Sequence, residues 1–425
     1  MASRRTTREH TRVAGSRPAQ PTYGQRRALS HVGGAVDVRA SNEHDAEALT
    51  WALRVSSNET AARAHVHGFH SYPARLHPVT ARRCILKWSR PGASVLDPFC
   101  GSGTILVEAR LLGCKASGVD LNPLAVELSW CKTRGSSASE RKRLVELANR
   151  VADWAEERRL AKAGPTRRYG VEDRGMFGPH VLLELDGLAS GLSRVEDRDA
   201  ARILRLVLSA TLTKVSRRAA DSSERVVEKR IASGFVIRLF RRKAWELAER
   251  LGAFASSLPP GAPKPDVRTG DARALGHIRA GSIDLIVTSP PYPGVYDYWA
   301  HHAARSRWLG LADRALKTGE IGSRRQLGQL DPIAAVGRWQ LDLGAFLRQA
   351  RRVLVPGGGA LLVMADTALH SMPMRADELL QELGPKHGLE LCGRASQTRP
   401  DFHRPSTRAF ARQPRREHLL LLRKP

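Results

Sequence analysis

Residues 93–104 read ASVLDPFCGSGT, the most informative segment of the chain. A short apolar run stops at Asp97, glycines follow at positions 101 and 103, and residues 105–112 have the apolar spacing of a helix. The stretch therefore predicts a strand, a glycine loop and a helix in succession. A second unit follows at once, because residues 115–119 predict a strand that ends at Asp120, and Pro123 suits the first turn of a helix.

Two consecutive strand–helix units imply a right-handed crossover and an open, doubly wound α/β sheet. Five more strands are predicted at 266–269, 283–287, 359–364, 389–392 and 418–422, so we expect a mostly parallel, seven-stranded, Rossmann-like sheet. Long charged helical patterns interrupt it and predict a helical insertion. The expected organisation is a basic disordered arm at 1–45, one half of the sheet domain at 46–135, the insertion at 136–265 and the other half at 266–425.

The composition favours a polyanionic partner. The chain of 425 residues carries 69 Lys and Arg against 42 Asp and Glu, a formal net charge of +27. Arg outnumbers Lys by 57 to 12, a bias that the codons of a GC-rich genome can also produce. Since the sequence has neither a membrane-spanning apolar run nor a signal-peptide core, we expect a cytoplasmic, bacterial protein. None of the five cysteines forms a Cys-x-x-Cys pair, which predicts a reducing compartment.

The glycine loop departs from both phosphate-binding patterns. A dinucleotide fingerprint needs a third glycine where Leu106 stands, and a phosphate loop needs Lys where Thr104 stands. Asp97 precedes the loop, and Asp120 stands where a carboxylate can accept hydrogen bonds from a ribose diol. An adenosyl ligand with a positively charged amino acid end would satisfy both carboxylates. The alternative is that both are turn or capping residues.

Three segments resemble the S-adenosylmethionine-dependent methyltransferases that modify exocyclic amino groups of DNA bases. Residues 97–104, DPFCGSGT, look like the cofactor motif, and residues 288–292, TSPPY, look like the catalytic motif. The Ser-Pro-Pro-Tyr form is associated mostly with cytosine N4, whereas adenine-N6 enzymes more often begin with Asn or Asp. Residues 69–78, FHSYPARLHP, resemble the part that packs on the methionine end of the cofactor.

This resemblance implies a methyltransferase sheet in which 46–135 is the cofactor-binding half and 266–425 the catalytic half. The implied cofactor is S-adenosyl-L-methionine. The residues expected to bind it are Tyr72, Asp97, Phe99, Gly101, Gly103, Thr104, Asp120, Leu121 and Asp271. Of these, Asp271 matches an acidic position near the adenine amino group. The expected catalytic residues are Ser289, Pro290, Pro291 and Tyr292.

The catalytic motif suits the chemistry of an amino group. The amino nitrogen of a base is a poor nucleophile because its lone pair is delocalised into the ring. The Ser289 hydroxyl and the Pro290 carbonyl can accept its hydrogens, and Tyr292 can stack on the base. A base within a duplex cannot reach such a pocket, so we expect it to be flipped out. Methylation of carbon 5 is set aside, because no Cys follows a Pro.

The helical insertion is the expected DNA-recognition region. Its candidate contacts are Lys214, Arg217, Arg218, Arg241, Arg242 and Lys243. Tyr296, just past the catalytic motif, is a candidate for the target-base pocket. Solvated charges and aromatic core packing are the alternatives. Four histidines of one loop, at positions 65, 67, 70 and 77, lack Cys partners, so no metal is expected.

The leading hypothesis is a site-specific DNA methyltransferase, with a cognate restriction endonuclease as a candidate partner. An RNA base amino-methyltransferase is the first alternative, although those enzymes more often carry Asp-Pro-Pro-Tyr and an N-terminal RNA-binding domain. A non-catalytic nucleic-acid binder on the same fold is the second alternative. The sequence indicates neither the recognition site nor the oligomeric state.

Overall fold

A twisted eight-stranded sheet forms the centre of the protein in a computed structural model, which describes residues 33–56, 59–218, 226–399 and 408–425. The order across the sheet is β1-β9-β10-β6-β5-β2-β3-β4. The strands are β1 (Asp37–Ala40), β2 (Ser94–Asp97), β3 (Lys115–Asp120), β4 (Asp266–Thr269), β5 (Ile283–Thr288), β6 (Leu354–Ala365), β7 (Thr367–Leu369), β8 (Met372–Met374), β9 (Glu390–Thr398) and β10 (Arg416–Arg423), of which β7 and β8 form a separate hairpin.

The sheet is mostly parallel. Strands β4, β3, β2, β5 and β6 pair in parallel, whereas β10 is antiparallel to β6 and β9, and β1 is antiparallel to β9. The chain leaves β2 toward β3 on one side and later returns to β5 on its other side. In open α/β sheets such a reversal opens a ligand crevice at the carboxyl ends of the strands. The expected doubly wound, Rossmann-like fold is confirmed, and all seven predicted strands are present.

The eighth strand corrects the predicted arm. Residues 1–32 lie outside the described residues, but β1 pairs with residues 393–396 of β9. Helix α1 (Glu43–Leu53) then begins at Asn42, whose side chain accepts a hydrogen bond from the Asp45 amide. The expectation of disorder up to residue 45 is therefore wrong for this last part. Four residues are too few to show a strand pattern, and their partner lies more than 350 positions away.

Helices cover both faces of the sheet. The remaining helices are α2 (Glu59–Arg63), α3 (Pro78–Trp88), α4 (Thr104–Leu111), α5 (Pro123–Thr133), α6 (Ala138–Leu160), α7 (Val171–Met176), α8 (Pro179–Leu192), α9 (Arg198–Val215), α10 (Phe235–Ser256), α11 (Tyr298–Leu309), α12 (Arg314–Gly319), α13 (Arg324–Leu327), α14 (Pro332–Val353) and α15 (Ala376–Lys386). A 3₁₀ turn spans His65–Gly68.

Strand β10 shows why both faces are covered. Its leucines alternate, with Leu419 and Leu421 packing toward α1, α3 and α4, and Leu420 and Leu422 packing toward α14 and α15. A continuous apolar run is the pattern of a strand that is buried on both sides. The core therefore lies in two layers, one on each side of the sheet.

The insertion is part of the same body. Helices α6 to α10 share one apolar cluster with Val107 of α4 and with Leu124, Leu128 and Cys131 of α5. The cluster also takes in Phe69, which precedes the glycine loop in the sequence. The insertion is thus anchored on the helices that follow β2 and β3. Within the described residues, every helix is too short or too polar to span a lipid bilayer.

Candidate active site

The glycine loop between β2 and α4 has the backbone that its sequence requires. Gly101 and Gly103 have φ angles of +49° and +82°, which side-chain-bearing residues rarely adopt. A Cβ on Gly103 would lie 2.9 Å from Oγ of Ser129 on α5. That hydroxyl donates to the Gly101 carbonyl at 2.9 Å. The loop is therefore held against α5 by contacts that leave no room for a side chain at position 103.

Asp120 ends β3 beside this loop. Its carboxylate accepts hydrogen bonds from the backbone amides of Gly101 and Asn122, both at 2.8 Å. Burial raises the pKa of Asp120 to about 6. The Asn122 side-chain amide donates to the Tyr72 hydroxyl at 3.2 Å, and the Tyr72 ring stacks on His302 at 4.9 Å between centroids. The segment before the cofactor motif is thereby fixed against the end of β3.

The two motifs meet at the ends of adjacent strands. Thr288, the last residue of β5, donates from its hydroxyl to the Asp97 carboxylate at 2.7 Å. Burial raises the pKa of Asp97 to about 7. Since β2 and β5 are parallel neighbours, Ser289 follows directly at the same edge of the sheet. The catalytic and cofactor motifs are thus 191 positions apart in the chain but bonded through their side chains.

A cavity lies at this edge of the sheet. Eight of the residues expected at the site line it: Tyr72, Phe99, Gly101, Asp120, Leu121, Asp271, Ser289 and Pro291. Asp271 is already paired, because Arg273 donates to it at 2.6 Å and to Asp342 at 2.6 Å. The cavity brings together residues from both motifs and from the segment that precedes them.

Other residues that the sequence places at the site lie behind the wall of the cavity and do not line it. Asp97 is 2% exposed and bridges the motifs, while Thr104 starts α4 and Pro290 is buried. Tyr292 lies deeper than a stacking role predicts, because its ring is 5% exposed and its hydroxyl donates to the Val363 carbonyl at 3.2 Å. In this structure it packs in the core under β6 and offers no free ring face for a base.

The sequence did not single out the far wall of the cavity, which includes Glu320. This carboxylate accepts the backbone amides of Tyr298 and Trp299 at 2.5 and 3.3 Å. Burial raises the pKa of Glu320 to about 7. Tyr298, two residues after Tyr296, lines the cavity as well. No spacing signal marks residue 320, because α11 and α12 bring it to the site.

The six expected nucleic-acid contacts point in different directions. Lys214 and Lys243 line a second cleft that shares Tyr72 with the cavity. Arg241 instead pairs with Asp153 of α6 at 2.7 Å. Arg242 is exposed, and Arg217 and Arg218 are partly buried after the end of α9. Tyr296 lies against Tyr298, with 5.5 Å between ring centroids, but does not line the cavity.

Two of the four loop histidines meet an unexpected carboxylate. Nε2 of His67 lies 2.7 Å from Oε1 of Glu108. His65 lies close to both, so that one nitrogen or oxygen atom of each of the three side chains is within 4.8 Å of the others. Arg82 also approaches Glu108 at 3.4 Å. Burial raises the pKa of Glu108 to about 6. A hydrogen-bonded, charge-compensated network accounts for this buried group.

The cavity fits an adenosyl cation. Asp120 and Glu320 are carboxylates in its wall without a Lys or Arg hydrogen-bond partner among the described residues, and aromatic rings stand beside them. A buried carboxylate favours a cationic ligand, because the ligand replaces the missing countercharge. The glycine loop lets the ligand approach the backbone. The fold and the cavity are those expected of the S-adenosylmethionine-dependent methyltransferase class.

Comparison with known proteins supports this class. Residues 16–130 match the family model described as DNA methylase. The chain is 23% identical over 305 residues to the type II methyltransferase M.MvaI of Kocuria varians, covering 66% of this chain and 63% of that protein. The resemblance to DNA amino-methyltransferases is thus confirmed, and so is S-adenosyl-L-methionine as the cofactor.

An RNA-modifying relative is also similar over a shorter region. The tRNA (guanine(10)-N2)-dimethyltransferase of Methanothermobacter thermautotrophicus is 42% identical over 83 residues, which is 19% of this chain and 24% of that protein. The solved structure of TrmN from Thermus thermophilus aligns with 82% of this chain and 49% of its own, at 14% identity and a TM-score of 0.31. The chain spans less than two thirds of the length of these relatives.

Proposed function

We propose that this protein is a site-specific DNA methyltransferase that transfers a methyl group from S-adenosyl-L-methionine to the N4 amino group of cytosine. One observation carries the proposal: Ser289 and Pro291 of the catalytic motif share a cavity with Gly101 and Asp120 of the cofactor half. The match of residues 16–130 to the family model described as DNA methylase supports DNA as the substrate.

The cofactor half supplies the binding groups. The Asp120 carboxylate is held by two backbone amides and keeps further lone pairs for a ribose diol. Phe99, Leu121 and Tyr72 offer apolar and aromatic surface for an adenosyl group. The bound cofactor supplies an electrophilic methyl group on a positively charged sulfur. Asp97 sits behind the loop and fixes the position of β5 relative to it through Thr288.

The catalytic half supplies the acceptors for the amino group. Ser289 follows β5, is partly exposed, and its Oγ makes a long contact of 3.5 Å with the Tyr292 hydroxyl. That Oγ therefore keeps lone pairs that can accept a hydrogen bond from a base amine. Pro290 and Pro291 fix the backbone of the turn, so the acceptors need no reorganisation during the reaction. The target base reaches this cavity by flipping out of the duplex.

The test is methylation of DNA by the full chain. Labelled S-adenosyl-L-methionine and unmethylated genomic DNA are incubated with the protein, and the nucleosides are separated and counted. Label in N4-methylcytosine is expected. Label in N6-methyladenine would keep the DNA methyltransferase and replace the base, whereas no label in DNA from a protein that binds S-adenosylhomocysteine would overturn the proposal.

An RNA base amino-methyltransferase is the second candidate, favoured by the 42% identity over 83 residues to the tRNA guanine-N2 enzyme. That similarity covers 19% of this chain. The same assay with total tRNA and ribosomal RNA separates the two candidates. Label in N2-methylguanine with none in DNA would favour the RNA enzyme. A protein that binds nucleic acid but transfers no label to either would be a non-catalytic binder.

A further inference from the structure

A second cleft lies beside the active-site cavity, between residues 63–75 and the insertion helices α9 and α10. We call it the basic cleft. Its walls include Tyr72, Arg75, Lys214, Lys243, Glu246 and Arg250. Tyr72 belongs to both the cleft and the active-site cavity. One aromatic side chain therefore separates the two sites.

The charge of the basic cleft is unbalanced. Among the described residues, its lining has one carboxylate, that of Glu246, against five cationic side chains, namely Arg63, Arg75, Lys214, Lys243 and Arg250. Lys243 and Arg250 share that carboxylate, at 2.7 and 2.9 Å. Arg75, Lys243 and Arg250 thus set three positive charges against the one negative charge of Glu246. Such a concentration repels itself unless an anion binds.

Backbone carbonyls hold two of these cations in place. Arg250 donates to the carbonyls of Arg63 and His65 at 2.9 and 2.7 Å. Arg75 donates to the carbonyls of Ala62 and His67. A carbonyl positions a guanidinium without cancelling its charge. The segment that precedes the cofactor motif is therefore tied to α10 in a way that leaves the positive charge available.

A buried lysine behind the cleft adds to this pattern. Lys132 of α5 is fully buried, and its ammonium has no hydrogen-bond partner among the residues that the structure describes. Burial, together with the positive charges of Arg75 and Arg250, lowers the pKa of Lys132 well below its ordinary value. The neutral amine is therefore favoured at this position, and the positive charges of the two guanidinium groups contribute to that preference.

We propose that the basic cleft binds a backbone phosphate of the nucleic acid, next to the nucleotide whose base enters the active-site cavity. This inference rests on the proposed function. Phosphate contacts fix the register of the nucleic acid without reading its sequence. The insertion would then position the substrate through Lys214 and Lys243, whereas Arg241 on the same helix as Lys243 faces Asp153 of α6 and takes no part.

The test uses the full chain and a labelled DNA duplex, with the dissociation constant measured over a series of salt concentrations. The double variant Lys214→Gln/Lys243→Gln removes two cations and leaves Glu246 paired with Arg250. The loss of one phosphate contact lowers the salt slope of log K by about 0.9, so a drop of about that size is expected. Lys142→Gln, an exposed site on α6, is the matched control and should keep the wild-type slope.

Folding is checked by the melting temperature and by binding of S-adenosylhomocysteine, both expected to stay at wild-type values. If the double variant unfolds, Lys214→Gln alone should lower the slope by about 0.9. A wild-type slope in a folded variant overturns the inference while leaving the methyltransferase proposal intact. A wild-type protein that neither binds nor methylates nucleic acid overturns both. If inorganic phosphate raises the melting temperature but the variant's DNA slope is unchanged, the cleft is a small-anion site.

Discussion

The two sides of the active-site cavity are built differently. On the cofactor side, Asp120 and Gly101 stand at the ends of adjacent parallel strands, where chain order alone places them together. On the opposite side, Tyr298 and Glu320 come from helix ends and turns, and the bond between the Glu320 carboxylate and the Tyr298 amide fixes them. The residues at the strand ends can thus be predicted as a site from the sequence. The opposite side of the cavity, which carries Tyr298 and Glu320, cannot.

Removing the Ser289 hydroxyl should give the largest effect. Ser289→Ala is expected to lower kcat about 100-fold or more and to leave S-adenosylhomocysteine affinity unchanged, because a fixed acceptor for the base amine is lost. Ser282→Ala, just before the opposite end of β5, is the control and should turn over normally. Wild-type turnover of Ser289→Ala would show that the cofactor side alone carries the chemistry.

Asp120→Asn tests the cofactor side. The amide cannot accept both backbone hydrogen bonds, and it lacks the charge that attracts a cation. A hydrogen bond to a charged group contributes about 1.5–3 kcal/mol, so the dissociation constant for S-adenosyl-L-methionine should rise roughly 10- to 100-fold. Calorimetry measures it. Asp266→Asn, at the exposed start of β4, is the control, and equal affinities in both variants would contradict the assignment.

Gly103→Ala separates backbone strain from crowding. Gly92 has nearly the same φ angle, +83° against +82°, but a Cβ added there would meet nothing within 4 Å, whereas one on Gly103 would meet Ser129 at 2.9 Å. Left-handed backbone costs an alanine about 1–2 kcal/mol in either place. Gly103→Ala should lose about 1–3 kcal/mol more than Gly92→Ala, seen in denaturant unfolding. Equal losses would mean that α5 yields to the new side chain.

The smallest expected effect is on the pH dependence of cofactor binding, to which Asp120 on one side of the cavity and Glu320 on the other contribute at different pH values. Burial raises the pKa of Asp120 to about 6 and that of Glu320 to about 7. Both groups are charged above these values and neutral below them, so the affinity for a cation should fall as the pH drops from about 8 to about 5. In Glu320→Gln the part of the fall near pH 7 should disappear. An unchanged profile would place Glu320 away from the cationic part of the ligand.

Much of the fold was predictable, because its signals are local. Buried parallel strands appear as apolar runs, and Asn122 with Pro123 marks a helix start through capping and backbone geometry. Strand β1 was missed because its stability comes from pairing with β9 rather than from its own four residues. The buried position of Tyr292 was not predictable, because ring direction depends on the packing under β6, which a motif does not record.

The class of fold and the two motifs could be predicted from the sequence, since each depends on residue types at fixed short spacings, and the resemblance of the motifs implied the cofactor. Only the tertiary structure shows how these parts contact one another. It shows the hydrogen bond from Thr288 to Asp97, the wall of the cavity that contains Glu320, and the basic cleft beside Tyr72. Those contacts join segments that are distant in the chain. Their geometry depends on packing between helices and sheet, and no local pattern encodes it.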